Sequence, residues 1–167
     1  ISPDWGPGLL ELALMLARHH QNDEALQLAE KVAALEAQNL VVLAGVVDIA
    51  HRAGHTEMAV RHLRRGLGMV PGDVQLRRLL ARDLSALGQH TESLQVWDSL
   101  LLQDASDTEA LLGRVQTLLA AGKPSQAVAD TTRLLELAPG DSVYAYYNAL
   151  AHGVTPAHQP TELNRSL

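Results

Sequence analysis

The chain has 167 residues, 47% of them hydrophobic but only 3% aromatic, with no Phe. Its core must be built from Leu, Val and Ala at close range, which suits helices and argues against a β-sandwich, a fold that draws on β-branched and aromatic residues. A net charge of −6 removes the electrostatic case for nucleic-acid or membrane-surface binding, and the absence of Cys excludes disulfides, thiolate metal sites and thiol nucleophiles without choosing between cytoplasm and periplasm.

In chain order, residues 1–5 read as a lead-in, and the start at Ile1-Ser2-Pro3-Asp4 without Met reads as a piece cut or processed from a longer chain. The first two helices are expected over Gly8–His19 and Asp23–Glu36. Asn39 caps a third, Leu40–Arg52. Within it, Leu40–Val47 is the longest clean apolar run, eight residues stopped by Asp48 and far too short to span a bilayer. After the turn Ala53-Gly54-His55, Thr56 is expected to cap a fourth helix reaching about Met69. Pro71-Gly72-Asp73 ends it and caps a fifth, Val74–Leu87. Beyond Gly88 come a sixth helix, Thr91–Leu102, and a seventh, Thr108–Ala121. Past Gly122, Pro124 opens an eighth, ending at Leu137, with proline near the first helical position where it is tolerated. A ninth covers Ser142–His152. Residues 154–167 contain Pro156 and Pro160 and no apolar periodicity, and are expected to form a short capping helix from Pro160 or a linker.

These elements repeat. Ala25, Ala59, Ser93 and Ala127 stand 34 residues apart, as do Ala13, Val47, Ala81, Val115 and Ala149. Ala37, Pro71, Ala105 and Pro139 form a third column, and Asn39, Asp73, Asp107 and Asp141 a fourth. A fixed period in this range marks a stacked-repeat protein, in which each repeat touches only its neighbours and the product is an extended surface. The repeats are 6–39, 40–73, 74–107 and 108–141, with a partial fifth at 142–153.

The columns resemble the tetratricopeptide repeat (TPR), a 34-residue helix–turn–helix unit with the pattern W-x2-L-G-x2-Y…A-x3-F…P. In the first repeat Leu9, Leu12, Ala13, Leu16, Ala25, Ala29 and Val32 fall on it; in the second, Leu43, Val46, Val47, Ala50, Ala59, Leu63, Gly66 and Pro71. The third supplies Arg77, Leu80, Ala81, Leu84, Ser93, Trp97, Leu100 and Ala105, and the fourth Leu111, Arg114, Val115, Leu118, Ala127, Thr131, Leu134 and Pro139. Arg77, Arg114, Thr131, Val47 and Val115 depart from the pattern and are expected to shift local packing, and Gly66 and Gly68 weaken a helix by roughly 1 kcal/mol each. The resemblance implies an all-α, right-handed α-solenoid of four repeats plus a ninth helix.

Motifs for catalysis are lacking: there is no G-x-S-x-G, no G-x-x-x-x-G-K-[ST] and no H-E-x-x-H, and Gly66-Leu67-Gly68 is too short for a phosphate loop. No cofactor or metal is expected. His20, His55 and His90 fall at successive turns, spaced too widely to converge on one ion, and read as solvated. The run Arg61-His62-Leu63-Arg64-Arg65 reads as a solvated face paired with nearby acids, with an acidic partner as the second reading.

In the TPR family the first helices line a concave face that binds partners, and the second helices form the outer face. Here the implied groove residues are Leu10, Leu14, Ala44, Asp48, His51, Gln75, Arg78, Arg82, Leu112, Gln116, Val143 and Tyr146. Arg78 and Arg82, four apart on one helix, either clamp an anion, or Asp48 pairs with Arg82 and neutralises it. Leu10 and Leu14, or Ala44 and Asp48, stand where one subgroup places the Lys and Asn that hold chaperone tails, which disfavours that ligand. The expected function is a non-catalytic protein–protein interaction scaffold binding a peptide or partner helix. The alternative is the recognition arm of a larger bacterial methyltransferase, sulfotransferase or glycosyltransferase. The incomplete fifth repeat exposes Tyr147 and Leu150 unless the tail, another domain or a second copy covers them, so homo-oligomerisation through it is a further expectation.

Overall fold

The computed structural model describes residues 6–154; the lead-in 1–5 and the tail 155–167, with the expected helix from Pro160, lie outside them. All the regular structure described is helical: α1 Gly6–Arg18, α2 Asn22–Leu35, α3 Leu40–Arg52, α4 Thr56–Met69, α5 Val74–Ala86, α6 His90–Leu101, α7 Thr108–Ala120, α8 Pro124–Leu137 and α9 Ser142–Ala151. Two compact bodies divide the chain, Ile1–Asp83 and Leu84–Leu167. In the N-terminal body α1 packs on α2 and α3, α2 on α3, and α3 on α4. In the C-terminal body α6 packs on α7, α7 on α8, and α9 on both α7 and α8. No described helix is long and apolar enough to cross a membrane.

One turn recurs. Residues 20, 54, 88 and 122 all adopt positive φ, as His20 (59°) and Gly54, Gly88 and Gly122 (70° to 74°). The next backbone N–H then reaches back to the first helix: Gln21 to Leu16, His55 to Ala50, Gln89 to Leu84 and Lys123 to Leu118, at 2.8 to 3.0 Å. This is a C-terminal cap in the Schellman manner, for which glycine is the least strained residue. The capping residue also starts the next helix: the His55 carbonyl accepts from Ala59 N–H, and Gln89 from Ser93. Thr56 is therefore not a cap. The N-cap of α4 is His55, with no side-chain bond, and Gln21, Gln89 and Lys123 behave alike. Helices α3, α5, α7 and α9 are capped by side chains: Asn39, Asp107 and Asp141 each accept from two backbone N–H groups, and Asp73 accepts from Leu76. At α9 the turn comes early. Val154 N–H bonds Ala149 and Gly153 takes φ 74°, so α9 has 10 residues where α7 has 13, and the period breaks inside the helix.

Column residues Ala25, Ala59, Ser93 and Ala127 are all 0% exposed. Of the other small column, Ala13, Val47, Ala81 and Val115 are buried, whereas Ala149 is half-buried. Leu12 is exposed because α1 is the first described helix and nothing described precedes that face. The polar departures from the pattern find polar partners. Arg77 Nε and Nη2 donate to the Pro71 carbonyl at 2.9 and 2.6 Å. Buried Thr131 donates to the Val128 carbonyl and accepts from Asn148 Nδ2, both at 3.0 Å. Gly66 is buried, and a Cβ there would stand 3.1 Å from Leu76 Cδ1, so it admits α5 close to α4.

Candidate interaction surface

In the N-terminal body, α3 turns one row of side chains outward. Ala44 and His51 are exposed and Asp48 half-buried, four and three residues apart on one helical face. On α5, Gln75 and Arg82 are exposed and Arg78 is half-buried. Leu14 is half-buried, but Leu10 is in the core: it lies over Gly45, where a Cβ would meet Leu10 Cδ1 at 2.9 Å. Asp48 Oδ2 accepts from Arg52 Nε at 2.8 Å within α3.

Beneath this row lies a contact between helices. His51 Nε2 is 2.8 Å from Asp83 Oδ2, joining α3 to α5, and Asp83 is buried. The bond to Asp83 raises the His51 pKa; burial opposes this, and the charges of Asp83 and Asp48 reinforce it. The column 49, 83, 117 explains why a carboxylate sits inside: Ile49, Asp83 and Thr117 occupy one buried register, 34 residues apart.

His62, expected in a solvated run, is buried. Burial is the main cause of its lowered pKa; nearby Glu30 opposes the shift, with Glu30 Oε2 3.5 Å from Nε2, and Arg61 and Arg65 reinforce it. The rest of the run is partnered: Arg61 with Glu30, and Arg65 Nη1 with the Ala33 carbonyl at 3.1 Å.

The C-terminal body is less open than expected. Leu112, Val143 and Tyr146 are half-buried, packed against the cluster of Leu111, Val115, Leu118, Leu134 and Tyr147. Tyr147 is buried rather than exposed, its hydroxyl accepting from exposed Gln116 Nε2 at 2.9 Å, and it meets Tyr146 edge-on at 5.5 Å between ring centroids. Leu150 is half-buried against the same cluster. Arg114, a departure from the repeat pattern, is clamped: Nε and Nη2 donate to Asp130 at 2.8 and 2.5 Å, and Nη1 to Asp98 at 2.6 Å. These bonds raise its pKa, Asp130 most of all. Asp130 is buried and Asp98 exposed. Among the described residues no three His, Asp or Glu side chains gather as a metal site requires.

No family model matches the chain. A 101-residue stretch, 60% of the chain, is 25% identical to ER membrane protein complex subunit 2-A of Xenopus laevis and spans 34% of that protein. Among solved structures, YrrB, described as a TPR protein with an unusual peptide-binding site, is 17% identical, superposes with a TM-score of 0.67, and the alignment covers 91% of this chain and 78% of YrrB. MamA from Desulfovibrio magneticus, 14% identical, gives a TM-score of 0.72 over 89% of this chain and 84% of its own. With all-helical described structure, a 34-residue helix–turn–helix period and these neighbours, the chain has the fold of the tetratricopeptide repeat.

Proposed function

We propose that the chain is a non-catalytic protein–protein interaction scaffold that holds a peptide or partner helix against the outward faces of its first helices, α3 and α5 foremost. The observation that carries this reading is the division of labour on α3. Val42, Leu43, Val46, Val47, Ile49 and Ala50 are buried, while Ala44, Asp48 and His51 in the intervening register are left toward solvent. The chemistry favours a carboxylate on the partner. His51 is held toward its protonated form by Asp83, and α5 carries Arg78 and Arg82 four residues apart on one helix. YrrB is described by its peptide site, and the Xenopus relative is by name a subunit of a protein complex; both support a role in holding partners.

Affinity capture from the native organism followed by mass spectrometry identifies the partner. Titrating it against the wild type and the Arg78→Ala/Arg82→Ala double variant tests the site. A charge-assisted hydrogen bond is worth about 1.5–3 kcal/mol, so the double variant binds roughly tenfold or more weakly, and wild-type binding weakens with added salt. Equal dissociation constants would remove α5 from the site.

A further inference from the structure

We infer that the cleft between the end of α6, α7 and α8 is a second docking surface, fitted to a partner segment that carries a Lys or Arg beside a large apolar side chain. The cleft has a volume of about 560 Å³, and the floor includes Leu111 and the Asp98–Arg114–Asp130 cluster. Its wall is apolar. Leu102, at the C-cap of α6, is 89% exposed, beside half-buried Leu101 and exposed Ala105. A leucine so open contributes nothing to the core of this body, and covering it removes apolar surface from water.

The charge at the floor decides what covers it. Arg114 is engaged through Nε, Nη1 and Nη2 by two carboxylates, so it is not offered to an incoming anion. Two carboxylates against one guanidinium leave one negative charge, and Arg133, also at the cleft, is matched by Glu136 at 3.0 Å. Asp98 uses Oδ1 for Arg114, and its side chain is 54% exposed, which leaves Oδ2 as an acceptor at the mouth. Asp104, two residues past Leu102, adds a negative charge to the same loop, and the C-terminal end of α6 contributes partial negative charge from its carbonyls. A purely apolar occupant would strip water from Asp98 without replacing it, and an acidic one would be repelled; a basic residue next to an apolar one answers both features. A second copy is disfavoured, since the chain carries a net charge of −6.

The test is a selection from a random 12-residue peptide phage library on the wild-type chain, with counter-selection on Leu102→Ser, a surface change that leaves the core untouched. The expected winners place Lys or Arg beside Leu, Ile, Phe or Met. As synthetic peptides they shift the amide resonances of residues 98–105 in a nitrogen-15 titration. They lose at least tenfold in affinity on both Leu102→Ser and Asp98→Asn, and bind the Arg78→Ala/Arg82→Ala variant unchanged, which separates this surface from the face of α3 and α5. Recovery of acidic sequences, the absence of any peptide that depends on Leu102, or a dimer in sedimentation that Leu102→Ser dissolves would each overturn the inference.

Discussion

Trp97 lies against Gly113 so closely that a Cβ on Gly113 would stand 2.3 Å from Trp97 Cζ2. The indole is fully buried, and its Nε1 donates at 3.2 Å to Thr117 Oγ1, which in turn donates to the Gly113 carbonyl at 2.8 Å. Glycine, tryptophan and threonine thus form one fitted joint between α6 and α7. Gly113→Ala is expected to destabilise the chain despite alanine's better helix propensity. Overpacking costs about 1–3 kcal/mol, against a propensity gain of about 1 kcal/mol. Urea unfolding should show a lower midpoint with an unchanged slope.

Much of the fold is legible in the sequence, and the residues it does not show have two causes. Helices α3 and α8 run between the residues expected, and α4 ends at Met69 as expected, because Asn39, Pro71 and Pro124 are strong local punctuation. The buried small-residue column follows from spacing alone. The missed residues are polar ones inside: Asp83, His62, Thr117 and Asp130. Polar character alone suggests exposure, although 34-residue spacing places Asp83 and Thr117 in register with Ile49, and two such steps separate His62 from Asp130. Gly113 was legible in principle as a mid-helix glycine with no turn to serve. Which first-helix residues are open was only partly readable: the fit of Leu10 over Gly45 and the packing around Tyr147 depend on side chains meeting across helices.

His20 is a non-glycine residue at φ 59°, in the position that Gly54, Gly88 and Gly122 fill in the next three repeats. The left-handed conformation costs a side-chain-bearing residue roughly 1–2 kcal/mol. Glycine removes that strain while giving the unfolded chain more freedom. His20→Gly is expected to be stabilising, by about 1 kcal/mol or less, with a raised thermal midpoint as the readout.

Two histidines set opposed pH dependences. The raised pKa of His51 means that its pairing with Asp83 contributes fully below the unfolded value of 6.5, and that the contribution fades as pH rises through the higher folded value. The lowered pKa of His62 works the other way: buried and neutral, it resists protonation, so stability is lost as pH falls below 6.5. Urea midpoints between pH 5 and 8.5 should show His51→Gln losing most against the wild type at the acid end. His62→Gln should flatten the wild type's acid decline. The reverse pattern would mean that the protonation states are assigned wrongly.

The proposed scaffold requires that the 34-residue columns close the packing and leave the α3 face open for a partner. Ala59 and Ala44 separate the two roles, since the first is 0% exposed in the column and the second is exposed on α3. The direct measurement is paired urea unfolding of Ala59→Leu and Ala44→Leu. Ala59→Leu should lose about 1–3 kcal/mol, the usual cost of overpacking, and Ala44→Leu should stay within about 0.5 kcal/mol of the wild type, as surface changes do. Equal losses, or a larger loss at Ala44, would contradict the register and the open face together.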